Sequence, residues 1–101
     1  MKILDFNKIA GFPYEKRYKN VLYNTDDFKI RIIDLPENGS IPECNMESHV
    51  VFVVMHGQVD INVNGEKFSL PEKQSLASEP GTFSMSTISG AKLMGIQIKK
   101  H

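Results

Sequence analysis

Cys44, Met46 and His49 put a thiol, a thioether and an imidazole in one short stretch of the chain. Thiolate, thioether and imidazole together select Cu(I) or Zn(II) over harder ions. A Cys–His pair alone could also activate the thiol as a nucleophile. In a regular strand Cys44 and Met46 share one face and His49 takes the other, so the pairing needs a bulge. Methionine at an inward strand position more often fills core, and a free cysteine usually behaves as a small buried hydrophobe. We therefore expect a barrel with no resident cofactor, with a soft or divalent metal at Cys44, Met46 and His49 as the alternative. Glu43 and Glu47 flank the stretch with outward parity. His56 precedes a glycine and His101 ends the chain, so both are expected in solvent.

A second chemistry-bearing stretch lies earlier, where Tyr14, Tyr18 and Tyr23 alternate with Lys16, Arg17 and Lys19. It is basic and aromatic and could meet an acidic ligand, but such tyrosines more often pack at an edge or a dimer seam. The chain has no Ser-His-Asp order, no phosphate-cradling loop and no clustered carboxylate pair. Asp26-Asp27 sits in a turn signal, where Asp bonds its own backbone.

The elements that must position these residues are strands. Residues 49–55 are apolar on both parities, with Val50, Phe52 and Val54 on one face and Val51, Val53 and Met55 on the other. A strand of that kind is covered on both sides. Cys44, Met46, Ser48, Val50, Phe52 and Val54 share one parity, which would point them into the interior together. Gly57 reads as a break, followed by Val59, Ile61 and Val63 facing inward, an Asn64-Gly65 turn, and Phe68 and Leu70 continuing the inward set. Asn-Gly between alternating residues is the strongest short hairpin signal, because both positions of a type I′ turn need positive φ. Phe28, Ile30 and Ile32 alternate with Lys29 and Arg31 as a half-buried strand. Residues 17–25 suggest another strand, residues 40–47 a polar connection containing Pro42, and residues 75–78, 83–88 and 93–98 further short strands. No segment keeps a helical apolar period for three turns. The class is all-β, an antiparallel jelly roll with little or no helix.

At 101 residues the chain is one domain, with residues 1–16 as a peripheral segment and 17–99 as the barrel. Its 12 basic and 12 acidic residues cancel, so nothing draws it to nucleic acid or to an anionic membrane surface. One cysteine makes no internal disulfide, and no apolar run approaches the ~20 residues of a membrane span. A cytoplasmic protein is expected.

The pattern resembles the cupin superfamily over residues 28–98. Gly39, Ile41, Pro42, residues 50–57, Val59, Ile61, Val63, Gly65 and Leu70 look like the first cupin motif and its hairpin, and Ser78-Glu79-Pro80-Gly81-Thr82-Phe83-Ser84 looks like the second. The resemblance implies a double-stranded β-helix barrel. In that family two histidines and a glutamate from the first motif and a histidine from the second hold a divalent metal. Here those positions are Cys44, Met46, Val50 and Ser84, so the family's catalytic residues do not carry over. The expected pocket is Cys44, Met46, Ser48, Val50, Phe52, Val54, Phe83 and Ser84. Phe83 and Ser84 compete for the inward face of their strand. The reading is a small-ligand-binding or regulatory module that pairs with a second copy of itself. The alternative is a metalloenzyme, or a cofactor-free isomerase or hydrolase, using Cys44 and His49.

Overall fold

The structure, a computed structural model, describes residues 1–99. A 3-10 helix (Tyr14–Asn20) precedes eight strands: β1 (Val21–Asn24), β2 (Phe28–Leu35), β3 (Ser40–Met46), β4 (His49–Val63), β5 (Glu66–Pro71), β6 (Ser75–Ser78), β7 (Gly81–Ser86) and β8 (Ala91–Ile98). All their pairings are antiparallel. The expected all-β class is what the chain adopts. Among the described residues, no helix is long and apolar enough to cross a membrane. His101 lies outside the described residues.

One strand organises the rest. The first half of β4 pairs with β8 on one side and β6 on the other, while its second half pairs with β5 and β7. One sheet therefore runs β1-β2-β8-β4-β6 and the other β3-β7-β4-β5, with β4 passing from the first into the second. Gly57 does not break the strand as the sequence suggests. The register against β8 shifts between Val54 and His56, and Gly57 bends onward at φ 81°. That extra residue moves the inward set from Val50, Phe52 and Val54 to Val59 and Ile61, all of them buried. A side chain at Gly57 would strike the carbonyl oxygen of Gly90, so only glycine fits both the angle and the close approach.

The hairpin forms as its sequence predicts, with Asn64 at φ 52° and Gly65 at φ 87° between β4 and β5. The Asn64 side chain does more than turn the chain. Its Oδ1 accepts from the Thr82 amide at 2.9 Å, while the Thr82 carbonyl accepts from the Asn64 amide at 2.8 Å. The Glu79-Pro80-Gly81 turn is thereby pinned against the hairpin, and Gly81 leaves no room there for a Cβ.

Several local expectations are corrected. The strand expected over residues 17–25 is a 3-10 helix up to Asn20 and only then β1. Residues 40–47 are not a polar connection: β3 occupies most of them, and a register shift between Ile41 and Cys44, around Pro42, lets both residues face β7's inner side chains. Proline is tolerated there because a bulge frees its position from the ladder. Cys44 and Phe52 are not on one continuous strand, since the chain crosses between sheets after Met46. Phe68 pairs with fully buried Ile61 but stays 36% exposed, because β5 is the outer strand of its sheet. On β7 Phe83 and Met85 are buried while Ser86 is exposed, so apolar content decides the inward face.

The most consequential correction concerns β2. Arg31, Ile33 and Leu35 lie opposite Gly95, Leu93 and Ala91, the inner residues of β8. Phe28, Ile30 and Ile32 therefore take the other face, together with Met94 and Ile96, and of these Ile32 is buried as the sequence suggests. Arg31 points inward.

Candidate functional site

The core has a packed end and an open end. At the open end a cavity of about 280 Å³ lies between the two sheets. Phe52 from one sheet and Phe83 from the other meet there edge to face, with ring centroids 5.9 Å apart. Ile33 and Leu35 of β2, Ile41, Cys44 and Met46 of β3, and Ser84 and Met85 of β7 complete its walls. The segment before β1 closes one side through Phe12, Tyr14, Arg17 and Asn20.

That segment is held in place by polar contacts. Buried Asn20 uses its amide in both directions: its Oδ1 accepts from the Phe12 amide at 2.7 Å and its Nδ2 donates to the Phe12 carbonyl at 3.0 Å. The Gly11 amide donates to the Asp34 carboxylate at 3.2 Å. The Lys92 ammonium donates to the Phe6 carbonyl, tying the segment to β8. Arg17 stacks on Tyr14, 4.1 Å from the ring centroid, and donates to the Tyr14 carbonyl. Satisfied backbone groups of this kind hold an irregular segment in place across a cavity mouth.

Of the eight pocket residues expected from the sequence, Cys44, Met46, Phe52, Phe83 and Ser84 line the cavity. Val50 and Val54 do not; both are buried in the core on either side of Phe52 along β4. Ser48 also lies elsewhere, accepting from the Gln97 amide at 3.4 Å. His49 is exposed at the start of β4, opposite Ile98, and is not a lining residue, whereas Cys44 sits on β3 opposite Phe83. The structure thus leaves His49 outside the set formed by Cys44 and Met46. Among the described residues, no group of three His, Cys, Asp or Glu side chains is arranged to hold a metal ion. His56 is an exposed partner of Glu72, 3.6 Å away.

Among the lining residues that the sequence did not mark as pocket are the polar groups of Arg31, Arg17, Tyr14, Asn20 and Asp34. The signal for Arg31 was present in the run Ile32-Ile33: with two adjacent isoleucines, Ile33 and Leu35 share the parity of Arg31 as well as Ile32 shares that of Ile30. Electrostatics around Arg31 are unusual for a small barrel. Burial pushes its guanidinium below the usual arginine range; a thiolate at Cys44 would oppose that shift, and Arg17 adds to it. Lys29, the next residue along the same face, is lowered by burial first and then by Arg31 and Lys99. Two cations, Arg31 and Arg17, therefore line the cavity, with Lys29 beside Arg31 on the same strand outside the lining. Among the described residues Asp34 is the one carboxylate in the cavity lining.

Neither a protein-family model nor a curated protein matches the sequence. Solved structures do. A cupin superfamily protein from Desulfitobacterium hafniense superposes with a TM-score of 0.74 at 15% identity, over 79% of this chain and 74% of that one. A protein of unknown function from Streptococcus pyogenes gives 0.74 at 13% identity, over 80% and 72%. A cupin protein from Bacteroides fragilis gives 0.69 at 22% identity, over 74% and 68%. Likeness at these identities speaks to architecture, and architecture alone does not carry activity. With its two sheets hinged on β4 and with these superpositions, the chain is a small domain of the cupin fold.

Proposed function

We propose that this protein is a small-molecule-binding module that holds one largely apolar ligand in the cavity between Phe52 and Phe83. The observation that carries this reading is the cavity itself. It is about 280 Å³ and is lined mainly by Phe, Ile, Leu and Met side chains. Space of that size inside a close-packed interior costs stability through forfeited contacts. It is about twice the volume of an apolar cavity that takes up one benzene molecule. Walls that are mostly apolar with a few convergent polar groups are the usual composition of a ligand pocket.

The positions that hold a metal in the resembling family are here Cys44, Met46 and Ser84 on the cavity wall and Val50 in the core. Cys44 supplies a thiol there, and the four positions hold no imidazole or carboxylate. This donor set suits contacts to an organic ligand better than iron, manganese or nickel. The reading also includes a second copy of the chain. Val51, Val53, Met94 and Ile96 form a half-exposed apolar row on the outer face of β4 and β8, and a two-fold pairing would set that row against itself.

A thermal-denaturation screen of small aromatic and aliphatic compounds tests the binding reading. A ligand that binds only the folded state must raise the melting temperature with concentration. Filling the cavity by Cys44→Leu should remove that response while leaving the fold intact. A screen in which no compound of cavity size stabilises the protein at millimolar concentration would remove the reading.

A further inference from the structure

Among the described residues no carboxylate pairs with Arg31, which lines the cavity. It takes part in no hydrogen bond and in none of the ion pairs Lys8–Asp5, His56–Glu72 and Lys67–Asp60 formed among the described residues. Its stem is fixed: on the facing strand Gly95 leaves the space that the Arg31 side chain crosses, and a Cβ at Gly95 would lie 3.2 Å from Arg31 Cγ. The cations nearest to it add to its cost, since Arg17 and Lys29 both interact with it as like charges. Asp34, the one lining carboxylate among the described residues, accepts from the Gly11 amide. A half-buried cation among apolar walls, beside further cations, is costly unless an anion joins it.

We infer that the ligand of this cavity is an apolar monocarboxylate, its hydrocarbon body between Phe52 and Phe83 and its carboxylate on the Arg31 guanidinium. The inference rests on the cavity being a ligand site and adds the charge and chemical class of what fills it. A planar carboxylate matches the guanidinium fork with two parallel hydrogen bonds, which a hydroxyl or an amine cannot make. A phosphate ester would bring a doubly charged, strongly hydrated group into a lining that is mostly apolar. Arg17, held over Tyr14 at the lip, adds a second positive charge without blocking the cavity. Arg31 is then the specificity-determining residue of the site.

Calorimetric titration of the full chain with 3-phenylpropanoate, 3-phenylpropanol and 3-phenylpropylamine is the test, since the three differ only in the head group. The acid should bind at least about tenfold more tightly than the alcohol, and the amine should bind least. Arg31→Met should weaken the acid by about tenfold or more and leave the alcohol within about threefold; Arg31→Lys, which keeps the charge but loses the fork, should fall between. An alcohol that binds as well as the acid to the native chain would overturn the inference while leaving the cavity as a ligand site, as would an Arg31→Met protein that keeps the acid's affinity. Failure of all three probes at millimolar concentration would remove both the cavity reading and this inference. The acid-to-alcohol ratio in the native chain is decisive even if neither Arg31 variant folds.

Discussion

The two ends of this one core are built from the same residue types and differ in what they leave open. At the packed end Val54, Val59, Ile61 and Leu93 are fully buried, and the bend at Gly57 brings β4 against the Gly90-Ala91 turn so closely that no side chain fits. At the open end Phe52, Phe83 and Met85 are also buried, yet they border about 280 Å³ of empty space and a guanidinium with no anionic partner among the described residues. The lesson is a division of labour within a single small domain. Close packing around Val54 and Ile61 stabilises the fold, and the stability gained there offsets the contacts forfeited around the cavity.

That division can be broken at its strongest point by Gly57→Ala. Positive φ costs a residue with a side chain about 1–3 kcal/mol, and the collision with the Gly90 carbonyl adds to it. A loss of about 4 kcal/mol or more in denaturant unfolding, or failure to fold, is the expected result. Next comes Ile61→Ala, which should cost about 3–4 kcal/mol, because every face of that side chain is packed. Phe52→Ala should cost about 3 kcal/mol, the low end for a buried phenylalanine, since one side of its ring already faces open space. If Phe52 proved as costly as a fully enclosed aromatic residue, the cavity would be smaller in solution than the structure shows.

At the open end the expected effects shrink and then change sign. Cys44→Ala should lower stability by under about 1 kcal/mol, as it removes one small group from a wall that already borders space. Arg31→Met should leave stability unchanged or raise it by up to about 1 kcal/mol, because it takes an unpaired cation out of a half-buried position. A loss of about 2 kcal/mol or more on that substitution would mean Arg31 is structural. The outer face makes a separate claim. Sedimentation at micromolar concentration should give twice the chain mass, and Val53→Lys should return it to one.

Much of the architecture could be read from local chemistry. Asn64-Gly65 fixed its own hairpin, and the β-branched run of residues 50–54 gave the central strand. Cys44 and Met46 line the cavity as their shared parity suggested, although from β3 rather than from a continuation of the central strand. What escaped were features set at longer range. Gly57 read as a break because a positive-φ glycine in a strand looks the same whether the chain stops or bends; only the pairing with β8 decides. The 3-10 helix at Tyr14–Asn20 is too short to show an apolar period. Arg31 was hidden by parity: apolar Ile32 and Ile33 make either face of β2 plausible, and the choice is made by Leu93 and Ala91 across the sheet. The pocket therefore lost Ser48, Val50 and Val54 from the expected set and gained Arg31 of β2 and Arg17 of the N-terminal segment.

The methionines allow the central claim to be tested within one sample. Met46 and Met85 line the cavity, whereas Met55 and Met94 do not. Methyl NMR of methionine-labelled protein during titration with 3-phenylpropanoate should therefore shift the Met46 and Met85 resonances saturably and leave those of Met55 and Met94 in place. Resonances that all stay fixed at millimolar probe, or that move only at Met55 and Met94, would contradict a ligand site at the open end of this barrel.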